Sequence, residues 1–344
     1  MNTQTAQSQP KYRIIRPKDH DAWLEARLDG IGSSEAPAIA GMHFYGETPL
    51  KVYRRKKRLD PPKSPTSYMS AGHEFEDDVA RHFARKTGAI IYSASAGDWI
   101  AVDRKKPWLR VSPDRLWWSA GTPEKDRTLA NARLLECKTT SKMVDPDDLP
   151  MYWRVQVQYQ MYVLGLKSAT IAWISYGGGL SFGYAEVAFN PDFWAYLEET
   201  LTTFWKENVL KGVPPEDVFD NEDAALRWPT AREGSVTADE NLVSQWARVM
   251  ELKALEKSVK QEIEELQLKV RCAMRDADTL RDGAGNVLAT WKNVSFAASF
   301  QEGLFKEEHP DLYAQYLGQP GTTRRLTFKS VKPPKSEKAA KQAA

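Results

Sequence analysis

Apolar residues recur along the chain with two periods. Strand-length runs and helix-spaced runs alternate up to about residue 210, and helical spacing dominates beyond it. Residues 19–28 predict a short helix carrying Trp23, Leu24 and Leu28. Residues 30–36 predict a turn opening a second helix, with Ser33 or Ser34 as its cap. Residues 48–59 predict a helix ending in the basic run at 54–58, and the Pro- and Ser-rich stretch 60–68 predicts a loop. Residues 71–87 predict a strong helix stopped by Gly88, with Phe75, Val79 and Phe83 as its buried stripe. Glu76 falls on that stripe, whereas Glu74, Asp77 and Asp78 point away. An inward carboxylate is costly unless it is paired or binds a cation.

Strands are expected at 90–92, 99–102, 109–111, 115–118 and 134–141, followed by a helix at 151–165. On that helix Gln158 and Tyr162 share one face, and Gln156 and Gln160 form a second polar line. A hairpin is expected at 168–188, and a further helix at 192–210 ends before Pro214 and Pro215. A long helix over 238–277 keeps Leu252, Val259, Ile263, Leu266, Val270 and Met274 in a three-four spacing, as for an arm or a coiled coil. A second hairpin at 279–294, a broken helix at 304–317 and a short strand at 326–328 follow. The organisation expected is a disordered N-terminus (1–12), an α/β core (13–215), a linker (216–235), a mainly helical C-terminal extension (236–329) and a disordered tail (330–344).

Bulk properties narrow the function only by exclusion. The net charge of +2 does not select a polyanionic partner, so local clusters must do so. Only Cys137 and Cys272 are present, which excludes a disulfide framework and a cysteine-based zinc site and suits a reducing cytoplasm. No run is apolar enough to span a membrane, and residues 1–12 show no signal-peptide pattern.

The chemistry concentrates on the 134–141 strand. Alternation puts Glu136 and Lys138 on one face and Cys137 on the other. Asp114 lies in the segment Val111-Ser112-Pro113-Asp114. Asp114 and Glu136 are hard oxygen donors suited to a divalent cation. Lys138 supplies a point charge beside them, suited to stabilising developing negative charge. On residue types alone the same strand could be a surface with a cross-paired Glu and Lys. Arg27 near Ser34 could hold a phosphate or simply flank a cap, and the run containing Arg54 and Arg55 could track a DNA backbone or form a solvated face.

Taken in order, these motifs resemble the YqaJ-like viral recombinases of the lambda exonuclease family, within the PD-(D/E)XK nucleases. The likeness covers roughly residues 20–210. The segment from Trp23 through Arg27 to Ser34-Glu35 resembles the opening segment whose Arg and Ser bind a DNA 5′-phosphate. Gly72 with Glu76 resembles the Gly-x-x-x-Glu helix. Ser112-Pro113-Asp114 resembles Ser-Pro-Asp-Gly, with Arg115 in place of the Gly. Glu136-Cys137-Lys138 resembles the Glu-x-Lys, and residues 152–162 resemble the helix of the Gln-x-x-x-Tyr motif. The resemblance implies a restriction-endonuclease-like core, a mixed central sheet flanked by helices. It implies a Mg²⁺-dependent 5′→3′ double-strand DNA exonuclease, with Mn²⁺ able to substitute, that leaves 3′ single strands for an annealing protein. Asp114, Glu136 and the Cys137 backbone carbonyl would ligate metal, with Glu76 in support. Lys138, Gln158 and Tyr162 would complete the catalytic set, Arg27 and Ser34 would hold the 5′-phosphate, and Arg54 and Arg55 would contact DNA. Asp103 is the nearest candidate for a further carboxylate. A phage or prophage origin and a ring-shaped homotrimer are implied as well. The alternatives are a structure-specific or single-strand nuclease of the same superfamily, or a non-catalytic DNA-binding adaptor.

Overall fold

The computed structural model describes residues 10–329, apart from 43, 62–66, 93–98, 178, 296 and 319–320. The disorder expected for the two ends lies outside these residues at 1–9 and 330–344, as does 62–66 of the expected loop. The chain forms two compact units, Met1–Arg227 and Trp228–Ala344.

The first unit is built on a five-stranded mixed sheet of β3 (Ile90–Tyr92), β6 (Arg115–Trp118), β7 (Arg133–Thr140), β8 (Ser168–Ser175) and β9 (Ser181–Ala188), in the order β3-β6-β7-β8-β9. Only β7 and β8 run parallel. A parallel pair needs a long crossover, and α5 (Met151–Leu164) supplies it. Gly165, at φ 71°, ends that helix in the left-handed conformation.

The period of two sorts β7 between two cores. Leu135 and Cys137 pack with Val79, Ala80 and Phe83 of α4 (Ser67–Thr87). Leu134 packs in the larger core with Val155, Val157, Tyr159 and Met161 of α5. Helices therefore cover both faces, the architecture expected of the core. Truncating one of the fully buried α5 residues would cost about 2–5 kcal/mol. Phe75, expected in the α4 stripe, is 45% exposed. It lies a turn before Val79, outside the cluster that Val79, Ala80 and Phe83 form with β7. The helix also begins earlier than expected, at Ser67.

A second sheet, β1-β4-β5-β2, joins β1 (Tyr12–Ile15), β2 (Ile31–Gly32), β4 (Ile100–Asp103) and β5 (Leu109–Val111). Periodicity does not predict β1 or β2, because a four-residue and a two-residue strand carry too little pattern. Helices α1 (His20–Leu28), α2 (Ala36–Ile39) and α3 (Pro49–Lys56) surround it. Neither Ser33 nor Ser34 caps α2. Its N-cap is Glu35, whose carboxylate accepts the Gly32 N–H at 2.8 Å. The helix expected at 192–210 is α6 (Pro191–Thr203) followed by a π-helical stretch, Phe204–Leu210. Residues 216–227 belong to this unit rather than to a linker. Asp223 of α7 (Asn221–Arg227) is fully buried and accepts from Thr48 Oγ1 at 2.7 Å and from the Phe219 N–H at 3.2 Å.

The second unit carries α8 (Glu240–Met274), the hairpin β10 (Thr279–Arg281) and β11 (Val287–Thr290), α9 (Glu302–Glu308) and α10 (Pro310–Tyr316). Asp239 caps α8 through the Leu242 N–H at 2.7 Å. Of the spaced apolar residues, Leu252, Val259, Ile263, Leu266 and Val270 are exposed, whereas Met274 is buried. Residues 326–328 form no strand. No described helix is long and apolar enough to cross a membrane.

Candidate active site

The β6–β7 ladder ends at Arg115 opposite Leu135. Beyond it the Cys137 N–H donates to Asp114 Oδ2 at 2.8 Å, so a carboxylate replaces the missing strand partner. A strand residue presents its N–H and C=O to the same side. The Cys137 carbonyl therefore points toward the edge where Asp114 sits.

On the α5 face, Glu136 is 1% exposed and all its donors are charged or amide groups. Lys138 Nζ and Gln156 Nε2 each donate to Oε1 at 2.6 Å, and Gln160 Nε2 donates to Oε2 at 2.9 Å. Lys138 Nζ also donates to Gln156 Oε1 at 2.8 Å, closing a triangle. Burial pulls the Lys138 ammonium down, but the Glu136 and Asp114 charges more than offset it, and its pKa is raised. It stays charged at neutral pH.

Glu76 is half-buried. Its carboxylate meets His73 Nδ1 at 3.0 Å and Arg115 Nη1 at 4.0 Å. Burial pushes its pKa up, against the pull of His73 and Arg115. Asp114 is held well above the usual carboxylate range, first by burial and then by the charges of Glu136 and Glu76. Arg115 also pairs with Asp77. The residue that departs from the Ser-Pro-Asp-Gly pattern thus supplies cationic compensation to the cluster.

These carboxylates repel one another and offer only hard oxygen donors, which suits a divalent cation. Among the described residues no three His, Cys, Asp or Glu side chains stand close enough to form a metal cage. The set fits a Mg²⁺-like ion, which is held by one or two carboxylates and keeps several waters.

Other expected site residues lie elsewhere. Gln158 Nε2 donates to the Ala188 carbonyl at 2.7 Å and its Oε1 accepts the Asn190 N–H at 2.9 Å, so the amide is spent joining α5 to the β9–α6 turn. Tyr162 stacks on Trp194 at 3.9 Å, with Lys11 Nζ 2.8 Å from its ring centroid. The helix turns these two away from Glu136, Asp114 and Lys138, and presents Gln156 and Gln160 to Glu136 instead. Asp103 pairs with Lys11 at 3.7 Å and caps the N–H groups of Lys105 and Lys106 at 2.8 Å, so it serves the second sheet. Arg54 makes a two-pronged pair with Asp60, at 2.6 Å from Nη2 to Oδ1 and 3.0 Å from Nε to Oδ2, and Arg55 pairs with Glu47 at 2.7 Å. Both guanidinium groups are engaged within the protein, and Lys56 is buried against Glu35 at 2.6 Å. Arg27 and Ser34 do meet, Nη2 donating to Oγ at 3.1 Å, and Ser33 beside them is buried.

Residues 22–167 match the model of the YqaJ-like viral recombinase domain, and every residue of the carboxylate cluster falls inside that span. Over that stretch the chain is similar to the YqaJ-like viral recombinases. The chain is 27% identical over 318 residues to the uncharacterized protein YqaJ of Bacillus subtilis (strain 168), covering 85% of this chain and 89% of that protein. That match is longer than the first unit, so it runs into the second. Solved structures with looser likeness include an alkaline exonuclease (LHK-Exo) from Laribacter hongkongensis, with TM-score 0.43 and 16% identity, covering 56% of this chain and 94% of that one. A phage related exonuclease from Haemophilus somnus 129PT gives TM-score 0.37 and 9% identity, covering 52% and 92%.

Proposed function

We propose that this YqaJ-like protein is a divalent-cation-dependent DNA nuclease of the lambda exonuclease type. It degrades duplex ends 5′→3′ in the cytoplasm and leaves 3′ single strands for an annealing protein. The observation that carries this reading is the closed triangle of Lys138, Glu136 and Gln156 beside Asp114, a charged amine held among carboxylates at the end of a core strand.

Asp114, Glu136 and the Cys137 carbonyl would hold the cation, and Glu76 would support a second. The bound ion, Mg²⁺ or Mn²⁺, supplies Lewis acidity and lowers the pKa of water. The chain's own residues do the rest. Lys138 orients the water and stabilises charge on the scissile phosphate. Gln156 fixes Lys138 and Glu136 relative to each other. Arg27 and Ser34 take the 5′-phosphate, since a guanidinium and a hydroxyl already 3.1 Å apart converge on one anion.

Digestion of end-labelled linear duplex, with Mg²⁺, with Mn²⁺ and with chelator, tests this. Release of the 5′ label first, only with metal, is the expected outcome. Release of the 3′ label first, or undiminished cutting in chelator, would sink it.

A further inference from the structure

Gln160 sits on α5 four residues after Gln156, and its side chain is fully buried. Its Nε2 makes two bonds, to Glu136 Oε2 at 2.9 Å and to Ser33 Oγ at 3.2 Å. Its Oε1 is buried with no hydrogen-bond partner. A buried, unpartnered amide oxygen is a cost that a leucine of similar volume would avoid. Rotating the amide would set its oxygen against the Glu136 carboxylate, so the orientation with Nε2 on Glu136 is the one electrostatics selects. The amide is thus retained for what its nitrogen does. Lys138 and Gln156 grip Oε1 from one side, and Gln160 grips Oε2 from the other. Ser33, 5% exposed and next to the Arg27–Ser34 pair, anchors the second grip in a different part of the chain.

We propose that Gln160 is a positioning residue that sets the rotation of the Glu136 carboxylate, with Ser33 as its anchor. The inference rests on the reading of Glu136 as a cation-holding carboxylate. Groups hydrogen-bonded behind a metal-holding carboxylate typically change metal affinity by about 10–100-fold when removed. Gln160 acts on Glu136 without touching the substrate, so its removal should appear in cation binding before any DNA is added.

The test is calorimetric Mn²⁺ binding to the full chain without DNA, at a temperature well below unfolding. Gln160→Leu should weaken Mn²⁺ binding by about tenfold or more. Ser33→Ala should weaken it by a smaller factor, and should add nothing in the Gln160→Leu background, because the anchor acts only through the amide. Should Gln160→Leu fail to fold, Gln160→Asn, which keeps the amide but shortens its reach, takes its place in the cycle. Glu136→Ala separates the two levels of the argument. If that variant binds Mn²⁺ as the native protein does, the reading of the site is wrong. If it loses Mn²⁺ while the Gln160 variant stays within twofold of native, or if the Ser33 and Gln160 effects simply add, the positioning role is overturned.

Discussion

Gln156 and Gln158 stand two positions apart on α5 and serve opposite neighbours. Gln156 bonds Glu136 and Lys138, whereas Gln158 bonds the backbone at Ala188 and Asn190. The two should separate function from stability. Gln156→Ala should lower the rate of hydrolysis by about 10²–10³-fold, as when a preorganised polar group is removed from a reacting centre. Gln158→Ala should leave the rate per folded molecule close to native but remove the partner of the Ala188 carbonyl and the Asn190 N–H, at about 1 kcal/mol of stability for each bond lost. Steady-state hydrolysis beside thermal unfolding of both variants checks this; the reverse pattern would refute the assignment.

Asp114 should trade stability against activity. Its folded-state pKa is raised by burial and by Glu136 and Glu76. A carboxyl with a raised pKa binds more protons folded than unfolded, so without metal the protein loses stability as pH rises through that window. Asp114→Asn removes the charge and keeps an oxygen for the Cys137 N–H. It should raise the unfolding temperature in chelator at neutral pH and abolish hydrolysis, and the rise should vanish at a pH low enough to protonate Asp114. Lower stability in chelator at neutral pH would contradict the electrostatic reading. Glu136→Ala and Lys138→Ala should also lose hydrolysis, by about 3–4 kcal/mol or more in the barrier.

The sequence discloses the long elements and the carboxylates for one reason: both follow from local pattern. The alternation of Leu134, Glu136 and Lys138 against Leu135 and Cys137 is fixed by the pleat, and the structure keeps it. What a helix touches is another matter. Residues 151–164 are apolar nearly all round, so the sequence offers two polar lines and no rule for choosing between them. The line at Gln156 and Gln160 meets Glu136, while Gln158 and Tyr162 meet the β9–α6 turn and Trp194. The family resemblance favours the second line, and the fold sets the first beside the carboxylates. Pairing across long separations is equally invisible in one dimension. The basic run reads as a DNA track until Asp60, Glu47 and Glu35 are seen against it.

Arg54 and Arg55 should therefore behave as structural residues. Arg54→Ala and Arg55→Ala should each cost up to about 1 kcal/mol, the range of partly exposed pairs. Neither should change the salt dependence of DNA binding, whose logarithmic slope falls by about 0.9 for each phosphate that is no longer neutralised. Binding isotherms over a range of salt concentrations decide the matter, and a shallower slope in either variant would return that arginine to the DNA path.

Lys11 should titrate close to neutrality. Burial lowers its ammonium pKa to about 8, with Asp103 opposing the shift. A lowered lysine pKa means that the folded protein sheds this proton before the unfolded chain does, so this group contributes stability that grows as pH rises from about 8 toward the unfolded value. At pH 8–9 the Lys11 amine should acylate ahead of the exposed lysines, read by peptide mass mapping. Asp103→Asn should lower the pKa further and speed the reaction at pH 7. Labelling of Lys11 no faster than the bulk lysines would show that its ammonium is not destabilised.

The parallel pairing of β7 with β8 also bears on how the protein is made. Glu136 and Lys138 emerge early in synthesis, but their strand cannot pair with β8 until α5 has been made and has folded back across it. Loop closure over that separation precedes any reward from the pairing, which makes it a slow step. Ser33, Asp114, Glu136 and Gln160 come together only in the finished fold. A growing chain that has not yet passed Ser175 thus carries Asp114, Glu136 and Lys138 without the β8 partner that completes their sheet. The order of synthesis places the carboxylates before the helix and the strand that hold them.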